Sequence, residues 1–508
     1  MGRALALLLS TFLAAAAAPL SAQSASDLRQ TYRTRFSSRA ETLLCEVVRF
    51  RTVAGNADAR EQQKKWLRTQ AEALGLTFRD AGPVAEVELA GPADAPVLAL
   101  LVHGDVQPPG EHGWTFPPFD CVTRDGYIHG RGTADDKGPL VQALLAMASL
   151  REDPRPRTHT VRLLVGSDEE SANTDIATYL ETHKAPDVTL VLDSSFPVVV
   201  GEKAWDALEL TVADPYRVRD SASSPWTIVH LDAGVTPSIV PPRAVARLRW
   251  QGGAAPLASA AGALCPSPVP DGYRCDVDVD GDVAIVTVTG RAAHSGMNLE
   301  GGRNALVLLA RMLDGKVQLS GAADLLAFAV VAGRDLYGDG LGLTQADPLW
   351  GRYGVNVAMV KGLDDGRLRL TINLRRIPPM SGDQLRAHLA KQVEAFAGPR
   401  GARVEVGGFF QDTPFAVPPD AKLVKRLLAA YERATGTPAK PAIAGGGTYA
   451  KRLPNAIAFG MWFPGSPYPG HDVDERIPVA DLHRGVDVLL EALDDLAYSP
   501  PLRAPLLP

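Results

Sequence analysis

Four short runs constrain this chain more than anything else in it. APVLALLVH (95–103), THTVRLLVG (158–166), DVTLVLD (187–193) and NAIAFGMWF (455–463) are apolar at nearly every position. A strand with one wet face alternates apolar and polar residues. Runs apolar on both faces belong in the middle of a sheet that helices cover on each side. A helical pattern precedes them, with apolar residues recurring every three or four positions from Ser37 to Leu74, and helical stretches such as GPLVQALLAMASLRED after Lys137 separate some of them. This alternation predicts an α/β fold with a mostly parallel central sheet flanked by helices.

The texture changes between residues 204 and 412. Strands there alternate (DVAIVTVTG, LRLTINLRR) and are joined by helical stretches such as NALVLLARMLDG and GDQLRAHLAKQVEAFAG. The α/β texture resumes with DAKLVKRLLAAYERATG. Residues 26–203 and 413–508 therefore read as one discontinuous α/β domain, and 204–412 as an inserted α+β domain.

Polar residues follow the apolar runs. The first ends in His103-Gly104-Asp105 and the second leads into Ser167-Asp168-Glu169-Glu170-Ser171. The third ends in Asp193, and the last reaches His471 through PGSPYPG. Ligands of open α/β sheets bind at the carboxyl ends of the strands, so these segments can converge. Between the first two lies GRGTADDKGP, with Asp135, Asp136 and Lys137 ahead of a helix. Singly, each piece has an ordinary structural explanation: a packed histidine, an acidic helix cap, a turn with a salt bridge. Together they offer two histidines and at least three carboxylates without a thiolate, a donor set suited to zinc, cobalt or manganese. No CxxC occurs. A net charge of −6 and a pI near 6.0, without long Lys/Arg runs, argue against a nucleic-acid binder.

The amino terminus is of another kind. MGR, the uncharged run ALALLLSTFLAAAAA and the small residues of PLSAQSAS follow the plan of a secretory signal peptide over residues 1–25. Cleavage fits after Ala22 or Ala25, and the run is short for a membrane anchor. The expected location is periplasmic or secreted. Cys265 and Cys275 can close a small loop, whereas Cys45 and Cys121 sit in apolar surroundings and read as buried thiols.

HGDVQP, GRGTADDKGP, SDEES, LDSSFPV, GGGTYA and FPGSPYPGHDVDE occur in an order and spacing that resemble the co-catalytic zinc peptidases. That family includes acetylornithine deacetylase, succinyl-diaminopimelate desuccinylase, aminoacylases, glutamate carboxypeptidases and dipeptidases. The blocks are most similar to PepV-type dipeptidases. The resemblance implies a zinc-peptidase catalytic domain split by a lid. It implies that His103 binds one metal and is oriented by Asp105, and that Asp135 bridges two metals. Glu170 and His471 would complete one site, and Asp193 would join His103 at the other. Glu169 would be the general base, and a cis peptide would join Asp135 to Asp136. From the lid, His294 would stabilise an oxyanion and Arg375, next to Arg376, would grip a substrate carboxylate. Gly446, Gly447 and Thr448 would face that carboxylate. Many relatives carry an Asn in a GGxxxNxxP segment; GVTPSIVP here places Ser238 closest.

The implied activity is hydrolysis of unblocked dipeptides by water activated between two zinc ions. A carboxypeptidase or an N-acyl-amino-acid deacylase would use the same machinery. An exported peptide-binding protein is the non-catalytic alternative, but it has no need of a full ligand set plus Glu169. The implied partner is a small peptide, with neither nucleic acid nor a stable membrane anchor. The long insertion favours a monomer whose own lid supplies His294, over a dimer formed through the lid.

Overall fold

The computed structural model describes residues 20–110, 113–219, 224–253, 257–466 and 470–502. Three helices come first: α1 (Leu20–Thr31), α2 (Ala40–Val48) and α3 (Ala57–Ala73). The continuous helical pattern expected over 37–74 is broken between α2 and α3. Asn56 restarts it, its side chain accepting the Ala59 N–H at 3.2 Å as an N-cap. Most of the expected signal peptide, residues 1–19, lies outside the described residues, and α1 runs across both expected cleavage points.

The chain continues through β1 (Thr77–Ala81), β2 (Val84–Leu89), β3 (Val97–His103), α4 (Lys137–Arg151), β4 (Thr160–Gly166), α5 (Asp175–Leu180), β5 (Val188–Val191) and β6 (Val199–Glu202). Eight strands of a second sheet follow: β7 (Ala204–Val212), β8 (Trp226–Ala233), β9 (Arg243–Trp250), β10 (Arg274–Asp280), β11 (Val283–Thr289), β12 (Gly354–Gly362), β13 (Leu368–Arg376) and β14 (Glu405–Phe410). Helices α6 (Ala305–Leu313), α7 (Gly321–Ala332) and α8 (Gly382–Arg400) pack on it. The chain returns to the first sheet through β15 (Phe415–Ala416), α9 (Lys422–Thr435), β16 (Ala442–Ala444), β17 (Ala456–Ala458) and α10 (Val479–Ala497).

The first sheet is ordered β1-β2-β4-β3-β5-β17-β6-β15, with β16 beside β6. Its central strands β4, β3, β5 and β17 are parallel, and antiparallel pairs lie toward both edges. Strands β5 and β17 are buried at every residue, and β3 at all but its first, as strands covered on both faces must be. Helix α4 is buried from Lys137 to Leu150, which explains why its sequence is apolar all round rather than striped. In register, His103 lies opposite Gly166, Leu101 opposite Val191, and Val191 opposite Ala458. The carboxyl ends of four central strands thus finish at one rim, and the polar residues beyond them emerge together.

The second sheet is antiparallel, and β11 alternates buried and half-buried residues, so one face meets the helices. Each sheet has its own apolar core. This is the α/β domain with an inserted α+β domain. No helix among the described residues is long and apolar enough to cross a membrane.

Two local expectations are corrected. NAIAFGMWF is not one strand: β17 stops at Ala458, and Gly460 adopts φ +74°. A Cβ at Gly460 would sit 2.4 Å from the Phe196 ring, so glycine lets the chain turn against that ring. Met461 and Trp462 then pair with Ser194 and Ser195 apart from the main sheet. Cys45 and Cys121 are a disulfide rather than thiols, with Cα atoms 5.2 Å apart. Their separation of 76 residues carries no local signal, and only packing of α2 against the loop before Gly130 brings them together. Cys265 and Cys275 also pair.

Candidate metal-dependent active site

His103, the last residue of β3, is fully buried. Its Nδ1 lies 3.0 Å from the Asp105 carbonyl oxygen and 3.6 Å from that residue's carboxylate. Its Nε2 lies 2.9 Å from Asp135 Oδ1 and 3.9 Å from Asp193 Oδ2. On the other side, His471 Nε2 is 3.1 Å from Asp135 Oδ2 and 2.8 Å from Glu170 Oε2. Two groups of donor atoms result, His103–Asp135–Asp193 and Asp135–Glu170–His471, each drawn within 4.8 Å. Asp135 belongs to both and turns one oxygen toward each imidazole.

The supporting contacts hold these side chains in place. The Asp105 carboxylate accepts the N–H groups of Glu169 (3.2 Å) and Glu170 (3.0 Å), so it fixes the acidic turn as well as facing His103. Asp175 takes the N–H groups just before them, from Ser167 (2.7 Å) and Asp168 (3.1 Å), and the Tyr449 hydroxyl (2.5 Å). Glu475 accepts the N–H groups of Ala134 (3.0 Å) and Asp135 (3.1 Å) and pairs with Arg131 (2.8 Å), setting the loop that carries Asp135. Asp136 accepts the His103 N–H at 3.0 Å, and the Asp135–Asp136 peptide is cis. Gln107 donates to Glu170 Oε2 at 2.9 Å. His471 sits at φ +63°, a left-handed turn that histidine tolerates better than most side chains. Sequence reasoning missed Glu475, Gln107, Asp175 and Tyr449. Glu475, Gln107 and Tyr449 lie inside recognised blocks, but no spacing rule gives them a role.

Carboxylates outnumber cations here. Burial raises the Glu169 carboxyl well above its usual range, and the charge of Asp193 adds to this. Asp193 is raised in the same way, by burial and then by Asp135 and Asp136. Burial would lower both imidazoles, yet His103 is raised by Asp105 and Asp135, and His471 by Glu170 and Asp135. Burial would raise Asp135, but hydrogen bonds to the two imidazoles pull it down. A crowded anionic set of carboxylate oxygens and imidazole nitrogens, without sulfur, fits divalent zinc, cobalt or manganese.

The inserted domain reaches the same place. The His294 ring stands edge-on to His471 with centroids 5.1 Å apart. Burial lowers its pKa well below the ordinary value, helped by His471 and Arg375. Its Nδ1 accepts the Gly296 N–H at 3.3 Å, which places its own proton on Nε2. The lid loop and the glycine loop touch backbone to backbone: a Cβ on Gly445 would lie 2.1 Å from the Gly296 carbonyl oxygen. Gly446, Gly447 and Thr448 line a cavity of about 80 Å³ together with Glu169, Asp193, His294 and His471. Thr448 is an anchor there: its N–H (3.0 Å) and hydroxyl (2.6 Å) both donate to buried Glu202.

Arg375 is close by but not on the cavity wall. Its guanidinium donates only to hydroxyls, Ser295 at 3.0 Å and Ser238 at 3.3 Å, and burial lowers its pKa to about 10. Ser238 also accepts the Trp205 indole N–H at 2.9 Å. Arg376 is committed elsewhere, to Asp206 at 2.8 Å and to the carbonyls of Met380 (2.8 Å) and Asp412 (2.6 Å). Of the two arginines, Arg375 is therefore the buried cation without a carboxylate partner among the described residues. Keeping such a charge is costly unless an anion comes to it.

A parallel-centred α/β sheet whose strand ends gather this ligand set, under a lid that adds a histidine, defines a metal-dependent hydrolase. The chain belongs to peptidase family M20/M25/M40, whose profile matches residues 99–495, and it is a metallopeptidase that hydrolyses peptides. It is 28% identical over 403 residues to the putative dipeptidase YtjP of Bacillus subtilis (strain 168), covering 79% of this chain and 83% of that one. It is also 28% identical over 407 residues to the Beta-Ala-Xaa dipeptidase of Lactobacillus delbrueckii subsp. lactis, covering 78% and 82%. Its fold is similar to that of human carnosine dipeptidase 1 (TM-score 0.57, 14% identity, 93% of this chain and 98% of that one). It is likewise similar to the di-peptidase Dug1p of Saccharomyces cerevisiae (TM-score 0.58, 15% identity, 94% and 100%).

Proposed function

We propose that this chain is an exported dipeptidase that takes two zinc ions and hydrolyses unblocked dipeptides. The observation that carries the reading is Asp135, one carboxylate facing two separate ligand groups, with Glu169 beside it and in neither group. Relatives named dipeptidases support the substrate class. Two disulfides suit an oxidising compartment and support export.

Divalent ions bound by His103, Asp135, Asp193, Glu170 and His471 would supply Lewis acidity, acidifying a water and polarising the scissile carbonyl. The chain's own residues do the rest. Glu169, whose carboxyl burial already biases toward proton uptake, accepts the proton of the attacking water and passes it to the leaving amine. His294 donates its Nε2–H to the oxyanion that develops on the carbonyl oxygen. Gly446 and Gly447 receive the substrate carboxylate, and the nearby buried charge of Arg375 favours it there.

The test compares purified zinc-loaded enzyme on unblocked dipeptides, their N-acetylated forms and tripeptides. Dipeptides are expected to lead; preference for the acetylated forms would make the enzyme a deacylase. In parallel, Glu169→Gln is expected to keep its metal by elemental analysis yet lose turnover by at least about a hundredfold. Normal turnover would overturn the general-base role.

A further inference from the structure

Met461 and Trp462 belong to a run that reads as one strand, and they carry none of the chemistry above. The turn at Gly460 takes them out of the first sheet and lays them beside Ser194 and Ser195, directly after Asp193. There they line the active-site cavity together with Pro139 and Leu192. The Trp462 indole N–H is donated to the Ser466 carbonyl at 2.9 Å, so the ring meets the cavity with its donor already paired. Met461 is 5% exposed and Leu192 fully buried, so this part of the wall is set by packing. The glycine loop forms another part, next to Met297, whose Sδ lies 3.6 Å from where a Cβ on Gly446 would be. Among the described residues, the ionisable side chains of the cavity are Asp135, Asp136, Glu169, Asp193, His294 and His471. A substrate side chain lodged against Met461 and Trp462 finds carbon to bury against, and the carboxylates that line the same cavity belong to the metal centre, to the general base Glu169, or, for Asp136, to the His103 N–H. Burying a charged side chain there unpaired is strongly unfavourable, whereas each buried methylene helps.

We propose that Trp462 and Met461, backed by buried Leu192 and Pro139, form the pocket for the side chain of the amino-terminal substrate residue and select dipeptides with an apolar residue there. This rests on the dipeptidase reading, in which the substrate carboxylate lies toward Arg375 and the glycine loop. The wall beside Asp193 is then left for the amino-terminal residue.

The experiment measures kcat/KM of the zinc-loaded enzyme on a series of X-Ala dipeptides with X = Gly, Leu, Phe, Asp and Lys. Leu-Ala and Phe-Ala are expected to exceed Asp-Ala and Lys-Ala by about 10- to 100-fold, the range a hydrophobic pocket can discriminate. Trp462→Ala is expected to lower Leu-Ala and Phe-Ala about tenfold more than Gly-Ala, with Trp462→Phe recovering most of the difference. Should the alanine variant not fold, the wild-type series and Trp462→Phe decide. Asp-Ala or Lys-Ala matching Leu-Ala in the wild type overturns the proposal, as does an equal loss on all five substrates in Trp462→Ala. Cleavage of N-acetyl-leucine but of none of the five dipeptides overturns the dipeptidase reading, and this proposal with it.

Discussion

Single carboxylates do most to shape this site, and they do different things. Asp135 is pulled toward ionisation by two imidazoles, whereas Glu169 is held toward protonation by burial and by the charge of Asp193. A group meant to shuttle a proton and a group meant to stay charged need opposite environments, and here both line one cavity. Glu202 gives a cleaner test of the same physics, because it lies away from the ligands. Burial raises its carboxyl to about 7, against the opposing pull of Lys451 and Thr448. Its folded-state pKa lies above its unfolded one, so its contribution to stability is complete below pH 4.5 and is lost as pH rises toward 7. At one pKa unit per 1.36 kcal/mol the loss is at most on the order of 3 kcal/mol. In thermal melts at pH 5 and pH 8, the wild type is expected to lose Tm relative to Glu202→Gln as pH rises. A Tm gap that does not move with pH would contradict this.

At the scale of elements, the flush strand ends of the first sheet build the site and α4 holds them from behind. Its start carries the Asp135 loop into the core: Lys137 Nζ, fully buried, donates to the Phe50 carbonyl at 2.7 Å. Leu144 is 0% exposed in the middle of this helix. Leu144→Ala is expected to cost about 2–5 kcal/mol of stability by chemical denaturation, since close-packed surroundings collapse only partly around a lost side chain. A cost below about 1 kcal/mol would mean that the helix is less tightly packed than its burial indicates. The lid sheet works differently: one face packs helices, and its strand ends and loops deliver His294 and Arg375.

Across the whole molecule, the two domains meet at a pair of chain crossings, near Lys203 and near Asp412. Lys451, just past the glycine loop, holds both, donating to the Lys203 carbonyl at 2.9 Å and to the Asp412 carboxylate at 2.7 Å. Arg376 and Asp206 grip the second crossing from the lid side. The lid is thereby tied to the loop it touches at Gly296 and Gly445. His294 stands beside His471 from the lid of the same chain, and we propose that the site works without a second copy. Specific activity is accordingly expected to stay constant on dilution from micromolar to nanomolar enzyme. A fall at low concentration, with dimers seen by light scattering, would show that the partner's lid takes part.

That His103, Asp105, Asp135, Glu169, Glu170, Asp193 and His471 would gather in one place was legible because each follows an apolar strand or lies in a block of fixed order. Strand ends in this kind of sheet have one place to go. The break at Gly460, the disulfide from Cys45 to Cys121, and the grip of Glu475, Asp175 and Tyr449 on the catalytic loops were not. Glu475 meets Asp135 across 340 residues and Tyr449 meets Asp175 across 274. A hydrogen-bond acceptor leaves no periodicity in sequence by which to find such a partner. The sequence by itself determined the sheet, the insertion and the ligand types, since burial patterns and donor chemistry are properties of short segments. Only the tertiary structure decided which arginine stands without a carboxylate among the described residues, that His294 lies beside His471, and which apolar residues share the cavity with them. Those depend on contacts between segments hundreds of residues apart.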